Sequence, residues 1–431
     1  DLRKRIRGRE SGGVFLTTIH KFTEDTELLT NRSNVICISD EAHRSQTNLD
    51  QKIKITEKGV QKTFGFAKYL HDSLPNATFV GFTGTPIDAT LDVFGKVLYI
   101  AAHPDDENTR LIAYLANEKK YETAYLSATR GGGGQNFLGT HLKENLGLIR
   151  TQELMEARKI DGGKQFFTSA VDFGYSKGPV ESLNFWDEEK ILSDFVWIIR
   201  KFRPDILITR FNQTPGITHG HHTASAILAD KAFNLSGDPD AFPDQLKHVK
   251  VWKPKRILWN TSSRFFNLDN YDMEKMLKID VGVYNNKMGK SYNEIASESR
   301  SMHKSQAFGS LRRRGSEVEL LVYSQGVEAK KDIMEGIETS WKRVRASETL
   351  TQHIKNAQDS FQINRPYGII DELTSAYKEL NRLVDRDWRA IKKNEIKNLI
   401  KACSGLFFEA LSGSEIASVG EEINISFDAI N

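Results

Sequence analysis

The chain has 431 residues, of which 39% are hydrophobic and 27% are charged, a composition typical of a folded globular protein. Its length predicts two or three domains, and its net charge of +3 argues against a dedicated nucleic-acid binder. The two cysteines exclude a disulfide framework but leave the compartment open, and no apolar run approaches the roughly 20 residues that a membrane-spanning helix needs.

The first part of the chain contains two apolar runs, at residues 34–39 and 78–83, that predict buried strands. A helix is expected between them, near residues 63–73. Strands that alternate with helices are typical of a parallel α/β sheet. We therefore expect this region to form part of an α/β domain.

Each of these strands ends in a motif that is typical of ATP-driven motors. Asp40 and Glu41 follow the first strand, where such an enzyme holds magnesium and positions water. A Thr-Gly-Thr-Pro sequence follows the second strand, as in helicase-like motors. The motif residues are Asp40, Glu41, His43, Thr83 and Thr85.

Residues 8–96 resemble the motor (R) subunit of type I restriction endonucleases, on the segments 15–22, 38–45 and 81–87. The resemblance implies a partial RecA-like helicase lobe. The sequence contains no Gly-x-x-x-x-Gly-Lys-Ser/Thr loop to cradle a triphosphate. We therefore expect vestigial ATPase motifs, with no functional nucleic-acid or ATP binding.

A second α/β series follows, and it predicts a parallel sheet. Motifs rich in His and Asp come after two of its strands, where open α/β sheets bind ligands. The predicted strands are 97–102, 123–127 and 205–211, and the predicted helices are 108–118, 146–161, 188–202 and 223–233.

Two of these strand ends supply the residues of a catalytic metal site. His103 and Asp106 leave one strand within a single turn, and His219 and His222 lie three residues apart at the start of a helix. A hydrolytic zinc needs three protein ligands and an open position for water, and any three of these four residues can supply the ligands. Asp105, next to Asp106, is the natural general base.

These motifs, His-Pro-Asp-Asp-Glu from His103 and His-x-x-His from His219, resemble those of the PIG-L / LmbE-like zinc-dependent de-N-acetylases. The resemblance covers residues 97–326 and implies a Rossmann-like hydrolase domain. It implies Zn²⁺ as the cofactor and an N-acetylated sugar or glycoconjugate as the substrate. The implied roles are metal ligation by His103, Asp106 and His222, general base for Asp105, oxyanion stabilisation or amine protonation for His219, and substrate contact for Arg150.

Two further residues bear on this interpretation. His303 could reach the site from a later loop and is a candidate substrate-binding residue. Gly132 stands where similar proteins carry an aspartate, which predicts reduced activity if that carboxylate orients a ligand or a loop. The leading hypothesis is removal of an acetyl group from an amide nitrogen by metal-activated water.

Two alternatives stay open at this point: an inert fragment of a DNA translocase, and a non-catalytic binding protein that keeps the hydrolase fold. Whether the fusion is natural or an artefact also stays open. We expect a motor lobe at 1–96, a deacetylase domain at 97–326, a helical extension at 327–418 and the start of a truncated β domain at 419–431. A seam of Ile370, Leu373, Tyr377, Leu380 and Val384 supports the helical extension.

Overall fold

A computed structural model describes residues 91–430, apart from residues 263–267, 270, 310 and 415. Before residue 91 it describes residues 28–32, 35–40, 52–56, 59–63, 73–74, 78–82 and 89–90. The chain divides into two compact units, Asp1–Pro86 and Ile87–Asn431. The described part of the chain contains no helix with the length and apolar character needed to cross a bilayer.

The first unit contains the predicted pair of parallel strands. Strand β1 (Ile36–Asp40) pairs with β4 (Thr78–Phe82), so that Asp40 ends β1 opposite Phe82. Strands β2 (Lys52–Thr56) and β3 (Gly59–Thr63), which lie between β1 and β4 in the sequence, pair with each other as an antiparallel hairpin. The other motif residues, Glu41, His43, Thr83 and Thr85, lie outside the described residues.

The second unit is built on a seven-stranded sheet that is mostly parallel, as the sequence predicts. Its strand order is β10-β13-β9-β8-β5-β6-β7, and β13 pairs antiparallel with both of its neighbours, β10 and β9, whereas the other four pairings are parallel. The strands are β5 (Lys96–Ala101), β6 (Glu122–Ser127), β7 (Lys164–Phe167), β8 (Ile206–Thr209), β9 (Arg256–Thr261), β10 (Leu277–Asp280) and β13 (Val318–Gly326). A short hairpin, β11 (Tyr284–Asn285) with β12 (Lys290–Ser291), lies outside this sheet.

The chain changes direction across this sheet at β5. It first adds β6 and β7 on one side, then returns to place β8 and β9 on the other side. In open α/β sheets, such a reversal leaves a crevice at the carboxyl ends of the two central strands. The segments after β5 and β8, which carry the predicted metal motifs, therefore meet at this crevice.

Helices cover both faces of the sheet. Side chains along β5 alternate, so that Leu98 and Ile100 enter one apolar core while Val97, Tyr99 and Ala101 enter the other. On the first face lie α3 (Pro179–Trp186), α4 (Glu188–Phe202) and α5 (Gly220–Leu235). On the second face lie α1 (Thr109–Asn117), α2 (Lys143–Asp161) and α6 (Tyr292–Arg300).

The helical extension has its own apolar core. It consists of α7 (Glu348–Ser360), α8 (Ile370–Glu379) and α9 (Arg386–Ser404). Leu373 and Leu380 of the predicted seam are fully buried, but Val384 is 91% exposed because the helical path ends at Arg382 and the backbone is extended at Leu383. An antiparallel hairpin of β14 (Phe407–Ser412) and β15 (Ile425–Ile430) follows, so strand structure begins inside the segment 327–418 that was expected to be helical.

The segment that links the two sequence regions belongs structurally to the second unit. Leu91 and Phe94 are fully buried in the apolar core of the helical extension. The Phe94 ring lies 4.8 Å from the rings of both Trp341 and Trp388. The compact unit thus starts ten residues before the predicted boundary at residue 97, because these apolar side chains have their partners in the extension.

We predict that Phe94→Ala lowers the stability of the second unit by about 3–5 kcal/mol, the usual cost of deleting a fully buried aromatic side chain. Chemical unfolding followed by tryptophan fluorescence measures this, since Trp341 and Trp388 line the cavity. Val384→Ala, at an exposed position, is the matched control and is expected to stay within about 0.5 kcal/mol of the parent. Equal stability of both variants would contradict the assignment of this segment to the extension.

Candidate active site

Two turns at the crevice carry the predicted site residues. His103, Asp105 and Asp106 follow β5 directly, and His219 and His222 lie at the first turn of α5. Parallel strands bring these turns to one edge of the sheet, which is why residues more than a hundred positions apart share a site. Among the described residues, two groups have the ligand atoms of three side chains within 4.8 Å of one another: His103, Asp106 and His222, and His103, His219 and His221.

The first group coincides with the predicted ligand set. Asp106 Oδ2 lies 3.0 Å from His103 Nδ1 and accepts a hydrogen bond from the His103 backbone N–H. Asp106 Oδ1 lies 3.3 Å from His222 Nε2. Although burial opposes the charged form, His222 and His103 hold the pKa of Asp106 well below its usual range. The carboxylate is thus ionised between two imidazoles, as a metal ligand must be.

Packing fixes the His222 ring. It stacks on Phe211 with ring centroids 3.9 Å apart and an angle of 5° between the ring planes. The residue is only partly buried, because its side chain is 21% exposed at the crevice. A rigid ring with access to solvent can meet both a metal ion and a substrate.

His219 caps the N-terminus of α5. Its Nδ1 lies 3.2 Å from the N–H of His221 and its Nε2 lies 3.0 Å from the N–H of Ser176. Burial, together with the nearby rings of His103 and His222, lowers the pKa of His219. The ring is therefore held neutral, and it must gain a proton before it can act as an acid.

The start of α5 approaches a neighbouring loop so closely that only glycine fits there. A Cβ on Gly220 would lie 2.3 Å from Ser176 Oγ and 2.5 Å from the carbonyl oxygen of Gly178. The glycine between His219 and His221 thus lets the helix bring its histidines to the crevice.

Asp105 adopts a strained backbone conformation, with φ at +105°. Non-glycine residues in such regions cost about 1–3 kcal/mol and persist only where their surroundings hold them. Here the Asp105 N–H donates to Glu107 Oε2 at 2.9 Å, and Arg300 donates to the Asp105 carbonyl at 3.2 Å. These contacts hold the Asp105 backbone in this conformation.

The environment of Asp105 also changes its acidity. Burial raises the pKa of Asp105 to about 6, even though the Arg150 guanidinium favours the charged form. Arg150 Nη2 donates to Asp105 Oδ2 at 2.9 Å. A carboxylate that titrates near neutral pH is suited to accept a proton during catalysis.

The two predicted substrate-binding residues are both buried. Arg150 is 3% exposed, and it donates to the carbonyl oxygens of Pro104 and Gly131 as well as to Asp105. His303 is fully buried, and its Nε2 lies 3.0 Å from Glu107 Oε1. In this structure both side chains are buried and contact Asp105 or residues next to it.

Glu107 is a site residue to which the sequence assigned no role. Its fully buried carboxylate contacts the Asp105 backbone, His303 and Arg158, whose Nη2 lies 3.1 Å from Oε1. Burial works against the charge, but Arg158 and His303 lower the pKa of Glu107 to about 2. The position of Glu107 directly after His-Pro-Asp-Asp could have marked it as a site residue. Its partners Arg158 and His303 lie 51 and 196 residues away in the sequence and could not be predicted from it.

Asp172 was also missed, and no sequence motif marks it. Its side chain is 4% exposed and lies beside the histidine cluster, with Oδ2 at 4.0 Å from His103 Nε2 and Oδ1 at 3.7 Å from His221 Nδ1. The loop 168–178 that carries it is irregular, so its place beside the site follows from tertiary structure alone.

At Gly132 the structure explains the departure from the expected aspartate. A Cβ at this position would lie 2.7 Å from the carbonyl oxygen of Lys143, closer than real Cβ atoms approach. A side chain here would require the first turn of α2 to move. In this chain the loop conformation itself therefore requires glycine at position 132.

Two family models match the chain, and their matches overlap at residues 98–127. The SWI2/SNF2 ATPase family model matches residues 1–127, and the GlcNAc-PI de-N-acetylase (PIG-L) family model matches residues 98–233. The second unit thus contains a region that is similar to PIG-L de-N-acetylases, and the chain combines it with a region that is similar to SWI2/SNF2 ATPases.

Curated relatives fall into the same two classes. The type I restriction enzyme HindI endonuclease subunit of Haemophilus influenzae is 48% identical over 108 residues, which cover 23% of this chain and 10% of that protein. The mycothiol S-conjugate amidase of Streptomyces coelicolor is 26% identical over 178 residues, which cover 38% of this chain and 60% of that protein. The chain thus spans a tenth of the first relative and three fifths of the second.

Among solved structures, the N,N'-diacetylchitobiose deacetylase from Pyrococcus horikoshii matches with a TM-score of 0.37 and 20% sequence identity. The match covers 52% of this chain and 74% of that structure.

We predict that Gly132→Asp destabilises the second unit by about 1–3 kcal/mol, the usual cost of forcing extra atoms into a packed region, and does not raise activity. Gly139→Asp in the same loop is the control, since a Cβ there meets only Asn136 Nδ2 at 3.9 Å. Thermal unfolding of both variants measures the difference. A Gly132→Asp protein that is as stable as the parent and more active would show that the loop accepts the aspartate.

We predict that Glu107→Gln costs about 2–3 kcal/mol of stability, because an amide replaces an acceptor bonded to a charged group. The loss is limited since Arg158 keeps its ion pair with Asp161. Glu156→Gln is the control. It breaks an exposed ion pair with Lys159 on α2, the helix that carries Arg158, and should cost less than about 1 kcal/mol. Urea unfolding compares the two, and equal losses would contradict the buried role of Glu107.

Proposed function

We propose that the chain is a zinc-dependent amide hydrolase that removes an N-acetyl group from a sugar or glycoconjugate, as a PIG-L-type N-deacetylase. The observation that carries this proposal is the group of His103, Asp106 and His222, gathered within 4.8 Å beside the strained Asp105. The match to the GlcNAc-PI de-N-acetylase model supports the reaction class and the sugar substrate. The similarity to an amidase supports the amide bond as the target.

The residues present fit zinc. Two imidazoles and one carboxylate are a common protein ligand set for a catalytic zinc, which keeps a further position for water. When bound, zinc would supply a Lewis acid that makes water nucleophilic near neutral pH. We propose His103, Asp106 and His222 as the ligands.

We propose that Asp105 and His219 accept and donate the protons that the reaction transfers. Asp105 accepts a proton from the attacking water as the water oxygen bonds to the acyl carbon. His219 first takes up a proton from solvent and then gives it to the amide nitrogen, so that the C–N bond breaks and acetate and a free amine leave; Asp105 returns its proton to solvent. We propose that Arg150 and His303 act by holding Asp105, directly and through Glu107, because both side chains are buried in contact with these carboxylates.

We predict that His222→Ala loses both zinc and turnover, whereas Asp105→Asn keeps zinc and loses about 10²–10⁴-fold in turnover, the usual contribution of a general base. Elemental analysis of the purified proteins, together with acetate release from N-acetylated sugars, measures both properties. His248→Ala, a surface histidine outside the cluster, is the control.

Each part of this proposal has its own contrary outcome. Equal zinc content in the parent and His222→Ala would contradict the proposed ligand set. Full turnover by Asp105→Asn would contradict the role of Asp105 as general base. Turnover of simple acetylated amines but not of acetylated sugars would support the hydrolase activity and contradict the sugar substrate.

For the SWI2/SNF2 region we propose that this chain does not itself bind ATP, because its sequence lacks the loop that cradles a triphosphate. Titration with a fluorescent ATP analogue tests this proposal. Saturable binding, displaced by ATP, would favour the translocase alternative over a vestigial motor lobe.

A further inference from the structure

His221 is the histidine of the cluster that the proposed reaction does not use, and its ring is firmly held. It is fully buried between Trp186, with ring centroids 4.7 Å apart, and Phe173, with ring centroids 4.5 Å apart. Its buried Nε2 has no hydrogen-bond partner among the residues that the structure describes, whereas its Nδ1 lies 3.1 Å from His103 Nε2. The nearer polar neighbour of Nδ1 is therefore a proposed metal ligand, since the Asp172 carboxylate lies farther away, at 3.7 Å.

The two ring nitrogens of His103 face different partners. Nδ1 faces Asp106 at 3.0 Å, on the side of the proposed ligand set, and Nε2 faces His221. A histidine that binds a metal through one nitrogen donates the N–H of the other nitrogen to a neighbouring acceptor, which fixes the tautomer and the ring plane. In metalloproteins a carboxylate or a backbone carbonyl often fills this role.

We propose that His221 is a positioning residue that accepts a hydrogen bond from His103 Nε2–H through its Nδ1. This contact keeps the His103 Nδ1 lone pair free and aimed toward Asp106 and His222. The inference rests on the proposed function, since it concerns the same metal site. It assigns to His221 the position of an outer-sphere acceptor and not that of a ligand.

The surroundings of His219 favour this role over direct ligation. The second group of possible ligands would need His219 together with His103 and His221. Both nitrogens of His219 lie within hydrogen-bond distance of backbone N–H groups, those of Ser176 and His221. Metal binding there would break one of these contacts, whereas the outer-sphere role of His221 breaks none.

Two variants at this position separate packing from hydrogen bonding. His221→Phe keeps the aromatic contacts with Trp186 and Phe173 and removes the acceptor. His221→Asn gives up part of the packing but can place its side-chain oxygen close to the position of Nδ1. The Phe variant also removes the buried Nε2, which offsets part of the loss of the hydrogen bond to His103 when zinc is absent.

Competition with a chromogenic zinc chelator measures the affinity of each protein for zinc. We expect His221→Phe to bind zinc about 10–100-fold more weakly than the parent, the usual effect of losing an outer-sphere partner. We expect His221→Asn to recover most of that loss, although it is the less stable of the two variants. The number of zinc ions per chain should be the same in all three proteins.

Three outcomes would overturn the inference. Parent-like zinc affinity in His221→Phe would show that the contact has no such role, while leaving the proposed function intact. A parent with two zinc ions per chain, one of them lost in His221→Phe, would make His221 a ligand. A parent that binds no zinc would overturn the proposed function and this inference with it.

Discussion

The buried carboxylate of Glu107 is the contact on which the site depends. It joins the turn after β5, helix α2 and the segment after α6, through the Asp105 N–H, Arg158 and His303. This contact acts together with the hydrogen bonds from Arg300 and Arg150 to hold Asp105 at its positive φ. A network of buried charges, and not the loops alone, therefore sets the position of the reactive carboxylate.

The sheet supplies the second requirement, which is proximity. The reversal of strand order at β5 brings the turn with His103 and Asp106 against the first turn of α5. Glycine at position 220 allows that helix to approach the loop at residues 176–178 without a steric clash. Topology thus brings the histidines together, while packing of rings such as Phe211 against His222 sets their orientation.

The sequence was most informative where apolar residues are periodic. Helix α4 has the predicted bounds 188–202, and the observed strands β5 and β6 each lie within one residue of the prediction. Helix α6 was missed because it buries polar residues such as Asn293 and Ser299, so its pattern lacks an apolar stripe. At the site, motif spacing identified the cluster of histidines and carboxylates, but Asp172 and the buried state of Arg150 depend on contacts between distant segments.

The burial of Leu91 and Phe94 in the core of the helical extension has a practical consequence for isolating the hydrolase domain. A fragment cut where the two sequence resemblances meet, at residue 97, would lose both side chains and expose the apolar surface of the extension to water. Exposed apolar surface of that kind favours aggregation. A soluble, independently folded hydrolase fragment should therefore begin at or before Ile87, and it will carry residues that sequence comparison assigns to the motor region.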